Sequence, residues 1–171
     1  MPLYNTHQSF CCIVGMSGSF IAAMTQVRAV AGTTGPMLFI DNSNGDTPIR
    51  IKNIKVDANA NLGESIVITV RGGMTVATLG NTNTLTPASF TAGENADING
   101  AAFYQWNGVA TGISGVTGGS GKLLDLAVIS LASQRAEVGA GLIVPAGGNI
   151  GITITGAGAA SCLCIVKGTV D

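Results

Sequence analysis

One histidine, four cysteines and nine carboxylates are the residues of this 171-residue chain that could carry proton transfer, metal binding or covalent chemistry, and their spacing argues against each. His7 stands near the first residue with no nucleophile beside it, so imidazole catalysis would rest on that one terminal side chain. An exposed or interface position in an N-terminal arm is the simpler reading. Cys11 and Cys12 are adjacent and point to opposite faces of a strand, whereas structural zinc sites use pairs two to four residues apart around a tight turn. Cys162 and Cys164 share a face. If a strand Phe10 to Val14 pairs with Ser161 to Lys167, one cysteine from each pair approaches the other. The N-terminus MPLYNTHQSF has no basic region followed by an apolar core, so reduced thiols acting as small apolar core residues are expected ahead of a disulfide or a metal.

Three further motifs fail on inspection. Asp57-x-Asn59-x-Asn61 opens like a calcium loop, but Leu62 replaces the required glycine and Ile68 the bidentate glutamate, which leaves a hydrogen-bonded turn between strands. Asp41 to Asp46, DNSNGD, has the same look and the same reading, since Asn-Gly is first a turn dipeptide. Gly118 to Lys122, GGSGK, is no phosphate loop, because Val116 stands where its first glycine belongs and Leu123 where Ser or Thr would hold magnesium. Tyr104, Gln105, Trp106 and Asn107 are candidates for a sugar-binding shelf, with aromatic packing at a sheet edge or subunit interface as the plainer account. No catalytic, cofactor-binding or metal-binding residue is assigned, and no cofactor is expected.

Composition accounts for the lack of chemistry in another way. Charged residues are 10% of the chain against 46% for AVILMFWYC, and the net charge is −1. Eight Lys and Arg scattered from Arg28 to Lys167 build no basic face, which excludes the counterion-release mechanism of a nucleic-acid binder. No apolar run reaches the 18 or so residues of a membrane span. A domain with so few charges stays soluble by covering apolar surface with copies of itself or with another protein.

The elements follow from a period of two. Ile150, Ile152 and Ile154 alternate with Asn149, Gly151, Thr153 and Thr155, and Ile66, Ile68 and Val70 repeat the pattern. Leu142 to Val144, Asn149 to Thr155 and Ser161 to Val170 read as a three-stranded meander. In Pro48 to Asp57 the apolar parity flips near Asn53, which predicts one bent strand with a β-bulge, followed by a turn at Asn59 to Gly63. Further strands are expected at Phe10 to Val14, Met37 to Asp41, Met74 to Leu79 and Leu123 to Leu131. The last also reads as a short buried helix. Ser19 to Ala31 is read as strand and loop, with helix as the alternative. Gly80 to Gly100 and Asn107 to Gly121 are irregular, the second with six glycines in fifteen residues. The sum is an all-β, antiparallel β-sandwich, jelly-roll-like, with long Gly-rich loops: an N-terminal arm at residues 1–8 and a single domain over 9–171.

Met37 to Gly73, MLFIDNSNGDTPIRIKNIKVDANANLGESIVITVRGG, together with Asn83 to Pro87 and with Leu142 to Gly148 followed by Ile150 to Thr155, resembles the small β-sandwich virion proteins of tailed bacteriophages. The resemblance implies a non-enzymatic capsid decoration (cement) protein, a homotrimer that bridges neighbouring major capsid protein subunits in a virion assembled in the host cytoplasm. It implies no cofactor and no catalytic residue. Two other roles are carried beside it: a fibre or spike head that binds a host glycan through Tyr104 and Trp106, and a sandwich-fold hydrolase acting on polysaccharide through two carboxylates that meet in space. The N-terminal arm and the loop Asn107 to Gly121 are the segments expected to adapt to partner surfaces.

Overall fold

Alternating apolar residues carry the chain into extended structure, and the computed structural model is all-β, with no helix among the described residues. Described are residues 18–25, 28–30, 35–60, 65–75, 82–90, 94–106, 121–130, 134–156 and 160–171. The strands are β1 (Gly18–Ala23), β2 (Arg28–Val30), β3 (Gly35–Asp41), β4 (Ile49–Ala60), β5 (Ile66–Gly72), β6 (Thr82–Leu85), β7 (Ala88–Ser89), β8 (Ala102–Trp106), β9 (Lys122–Ile129), β10 (Arg135–Val138), β11 (Ile143–Val144), β12 (Asn149–Gly156) and β13 (Ala160–Val170). They form two antiparallel sheets. One has the order β10-β4-β13-β1-β7, with β11 on β4 and β2 on β13; the other has the order β6-β8-β3-β12-β5-β9. The inward side chains of both meet in one core, among them Phe20, Ile51, Ile54 and Val166 from the first sheet and Leu38, Ile68, Phe103 and Ile152 from the second. Full burial of each contributes about 1.5–3 kcal/mol.

Ser19 to Ala31 is extended, as β1 and β2, and the segments at Met37, Ser65 and Leu123 are strands as expected. The meander is not. β11 and β13 belong to the seven-stranded sheet and β12 to the other, because Ile150, Ile152 and Ile154 face the same core from the opposite side. Asn59 lies in β4 and forms no turn, and Gly80 to Gly100 contains β6 and β7. Met74 and Thr75 lie outside any strand. Both edges of β13 are taken, one by β4 and the other by β1 and β2, and the expected partner Phe10 to Val14 is not among the described residues. That segment, the arm 1–8 with His7, Cys11, Cys12, residues 76–79 and residues 107–120 lie outside the described residues.

The parity flip near Asn53 is a β-bulge. Lys167 pairs with Asn53 and Gly168 with Ile51, so Lys52 drops out of the ladder and the strand changes which residues it buries. Gly168 is needed there. It lies opposite Phe20, and a Cβ at that position would stand 2.5 Å from the Arg50 carbonyl oxygen and 2.7 Å from the Phe20 ring. Phe20 fills the space the missing side chain leaves and meets Phe103 of the second sheet edge-on at 5.1 Å between centroids.

Two amides fasten the ends. Gln105 points between the sheets, accepts the Thr25 N–H at 2.8 Å and donates to the Thr25 hydroxyl at 2.6 Å. Asn42 is buried and donates to the carbonyls of Thr47, Val144 and Pro145, which locks the 42–47 turn onto the turn before β12. Gly168→Ala forces Phe20 and the Arg50 backbone apart, and the expected loss is about 2 kcal/mol in urea unfolding. A variant with the wild-type midpoint would contradict this packing.

Candidate functional site

Those of the candidate residues that are described are placed for structure. Cys162 and Cys164 face inward and are fully buried in the shared core. Burial, with a smaller effect of neighbouring Cys162, pushes the Cys164 thiol far above its ordinary value, so it is not a nucleophile. Asp57 extends from β4 to an ion pair with Arg135 at 2.5 Å, and Glu137 pairs with Lys55 at 2.9 Å, which holds the Glu137 carboxyl below its usual range. Arg50 pairs with Asp171 at 2.5 Å. The segment Asp41 to Asp46 is a turn, in which the Asp41 carboxylate accepts the Ser43 N–H. Among the described residues no group of three or more His, Cys, Asp or Glu is placed to hold a metal ion.

Trp106 provides no sugar shelf. It is 1% exposed and packs with Phe39, Met74 and Tyr104 in a second small cluster apart from the main core. Phe39 and Tyr104 are cross-strand partners on the outward side of the six-stranded sheet. Met74 reaches them from beyond β5, because Asn149 clamps its backbone, accepting the Met74 N–H at 2.7 Å and donating to the Met74 carbonyl at 3.0 Å. Gly151 lies beneath, where a Cβ would overlap the Met74 sulfur.

What the two sheets present to solvent differs sharply. Five of the eight basic residues, Arg50, Lys52, Lys55, Arg135 and Lys167, lie on β4, β10 and β13, and the three ion pairs stand on the same sheet. The strands of the six-stranded sheet hold four charged residues, Asp41, Arg71, Lys122 and Asp125. Three of these sit at or next to strand ends, and Asp125 is tied to the Gly139 N–H at 2.7 Å. Across the outward side of β9, β5 and β12 run the rows Val128–Val67–Thr155 and Leu126–Thr69–Thr153, in which the two threonine hydroxyls bond each other. Leu123, Leu126 and Val128 are each about half exposed on β9, the edge strand.

Beside this row lies a pocket of about 440 Å³, lined by Leu124, Ile143, Val144, Pro145 and Ile150, floored by glycine backbone and bordered by Lys122. The Arg71 guanidinium donates to the Gly121 carbonyl at 3.2 Å and fixes the start of β9 at its edge. Leu123 to Leu131 is expected from its residues as a buried strand or a short helix, whereas β9 is an edge strand that carries this surface. The only available signal was that both parities of the segment are apolar, whereas a strand with one wet face alternates.

Comparison with models of known protein families, with curated proteins and with solved structures gave no match to this chain. The surface therefore has to be interpreted from its own chemistry.

The Cys164 thiol is predicted to resist maleimide labelling in the native protein and to react once urea unfolds it. Its proton is held more tightly folded than unfolded, so the stability it contributes is complete below the ordinary thiol value of 9.0 and falls as pH rises above that. One proton corresponds to a slope of about 1.4 kcal/mol per pH unit. Cys164→Ala should flatten the stability profile there by up to that amount, and identical slopes would contradict the assignment.

Proposed function

We propose that this chain is a non-enzymatic structural protein of a virion, a capsid decoration (cement) protein that docks through the outward side of its six-stranded sheet and bridges neighbouring major capsid protein subunits as a homotrimer. The observation that carries the reading is the half-exposed row Leu123, Leu126 and Val128 on an edge strand whose sheet has almost no charge to wet it. Such a row is stable in water only at a cost, and contact with a partner removes it from solvent.

The strand order supports a jelly roll. With β6, β7, β8 and the short β2 and β11 set aside, the sheets reduce to β1-β13-β4-β10 and β3-β12-β5-β9, in which every step along the chain except β5 to β9 passes from one sheet to the other, in keeping with the two Greek keys of that fold. Jelly rolls serve in viral capsids among other settings, so the fold agrees with the role without assigning it. The charged groups support the non-enzymatic part of the reading. Asp57, Glu137 and Asp171 are neutralised by basic partners and the Cys164 thiol is inert. A glycan-binding head is the weaker reading, because Trp106 is covered.

Individual contacts of this kind are weak. Repetition around a shell multiplies them through effective concentration, which suits a protein that adds to a preformed lattice. Leu126→Asp together with Val128→Asp should lower occupancy on purified shells by roughly tenfold or more, since each half-exposed side chain loses on the order of 1 kcal/mol of docking burial. Its unfolding midpoint should fall far less than its occupancy, as about half of each side chain already stands in water in the free chain. Unchanged occupancy would defeat the proposal.

A further inference from the structure

The molecule carries an apolar knob and an apolar hole at opposite edges. The knob is Phe90, just after β7, the strand that ends the seven-stranded sheet. It is 55% exposed and is the one exposed aromatic of large size among the described residues. The Ser89 N–H donates to the Glu94 carbonyl at 2.9 Å and Ala88 bridges Asn95, so Phe90 and the exposed Glu94 are drawn to the same tip. The hole is the pocket of about 440 Å³ beside β9 and β11. It lies at the other flank, because Asp125 of β9 bonds Gly139 at the end of β10, and β10 and β7 are opposite ends of one sheet.

Size and charge match. The volume takes a phenyl ring with its flanking backbone; Leu124, Ile143 and Pro145 are its open aliphatic walls, Val144 and Ile150 back it from the core, and Asn149 and Lys122 are its polar border. Leu124 and Ile143 are about half exposed around it. Lys122 at the border has no ion-pair partner among the described residues, nor has Glu94 beside the knob. We propose that the occupant of the pocket is Phe90 of a second copy of this chain, with Glu94 of that copy set against Lys122.

The contact is heterologous, since different surfaces meet, and such contacts close into rings or run on as filaments according to the rotation between copies. Because knob and hole lie at opposite edges, each such contact adds a further copy head to tail and leaves one free knob and one free hole at the ends. This rests on the reading that the chain works in an assembly, and it names the partner for one part of the surface, leaving Leu126 and Val128 to face the shell.

Light-scattering mass of the purified full chain tests it. The wild type is expected to run as a head-to-tail oligomer whose mass rises with concentration, while Phe90→Asp and Ile143→Asp each run as monomers with unchanged β-sheet circular dichroism. Mixing the two variants should yield a dimer and nothing larger, because each mixed pair retains one intact knob and one intact hole. Glu94→Lys should weaken assembly and Lys122→Glu in the same chain should restore it. A Phe90→Asp oligomer of wild-type mass, or a mixture that stays monomeric, would overturn the inference. A wild type that is monomeric yet still coats shells would also overturn it while leaving the decoration role intact; a wild type that assembles through this contact but does not bind shells would support it and defeat that role.

Discussion

The governing constraint is that a two-sheet protein has two inner faces and two outer faces, and this chain has enough charge to wet only one of the latter. Strand geometry sends alternate residues to opposite sides, so the isoleucines and valines that build the core fix what their neighbours must present to water. On β4, β10 and β13 those neighbours are Arg50, Lys55, Asp57, Arg135, Glu137 and Lys167. On β5, β9 and β12 they are valine, leucine and threonine, with Arg71 at the margin. The exposed ion pairs do little for stability in high dielectric. Their consequence is the asymmetry: one side carries the charge and the other an apolar row half exposed on its edge strand.

Polar side chains in the interior serve to fix the geometry of that second side. Asn149 clamps Met74, which covers Phe39 and Trp106 and keeps part of the outer face dry within the molecule. Arg71 ties the start of β9 through Gly121, and Asp125 ties its middle to Gly139. An edge strand held at its start and its middle presents its side chains in one arrangement. Gln105 with Thr25, and Asn42 with its three carbonyl partners, close the ends of the core in the same manner.

Much of the architecture was legible in the residues because period two leaves a direct mark. The bulge at Lys52 was visible as a parity change, for a one-residue insertion must move the apolar set to the other side. Sheet membership was not legible: Ile150 to Ile154 looks the same whether it pairs with its sequence neighbours or faces them across the core. β10, Arg-Ala-Glu-Val, carries too little apolar character to register, and its place depends on the ladder with β4 and on Val138 and Ala136 against the core. The burial of Trp106 depends on Met74 and Asn149, which are distant in sequence and linked only by the fold. The apolar row on β9 was misjudged for a related reason. An apolar residue facing a partner is indistinguishable in sequence from one facing the core.

The most direct measurement of the central claim is residue-resolved carbene footprinting of the chain free and on assembled particles. The account predicts strong protection of Leu126 and Val128 on assembly, with Arg135, Glu137 and Lys52 labelled equally in both states. Protection of the charged side, with Leu126 and Val128 still open to reagent, would contradict it.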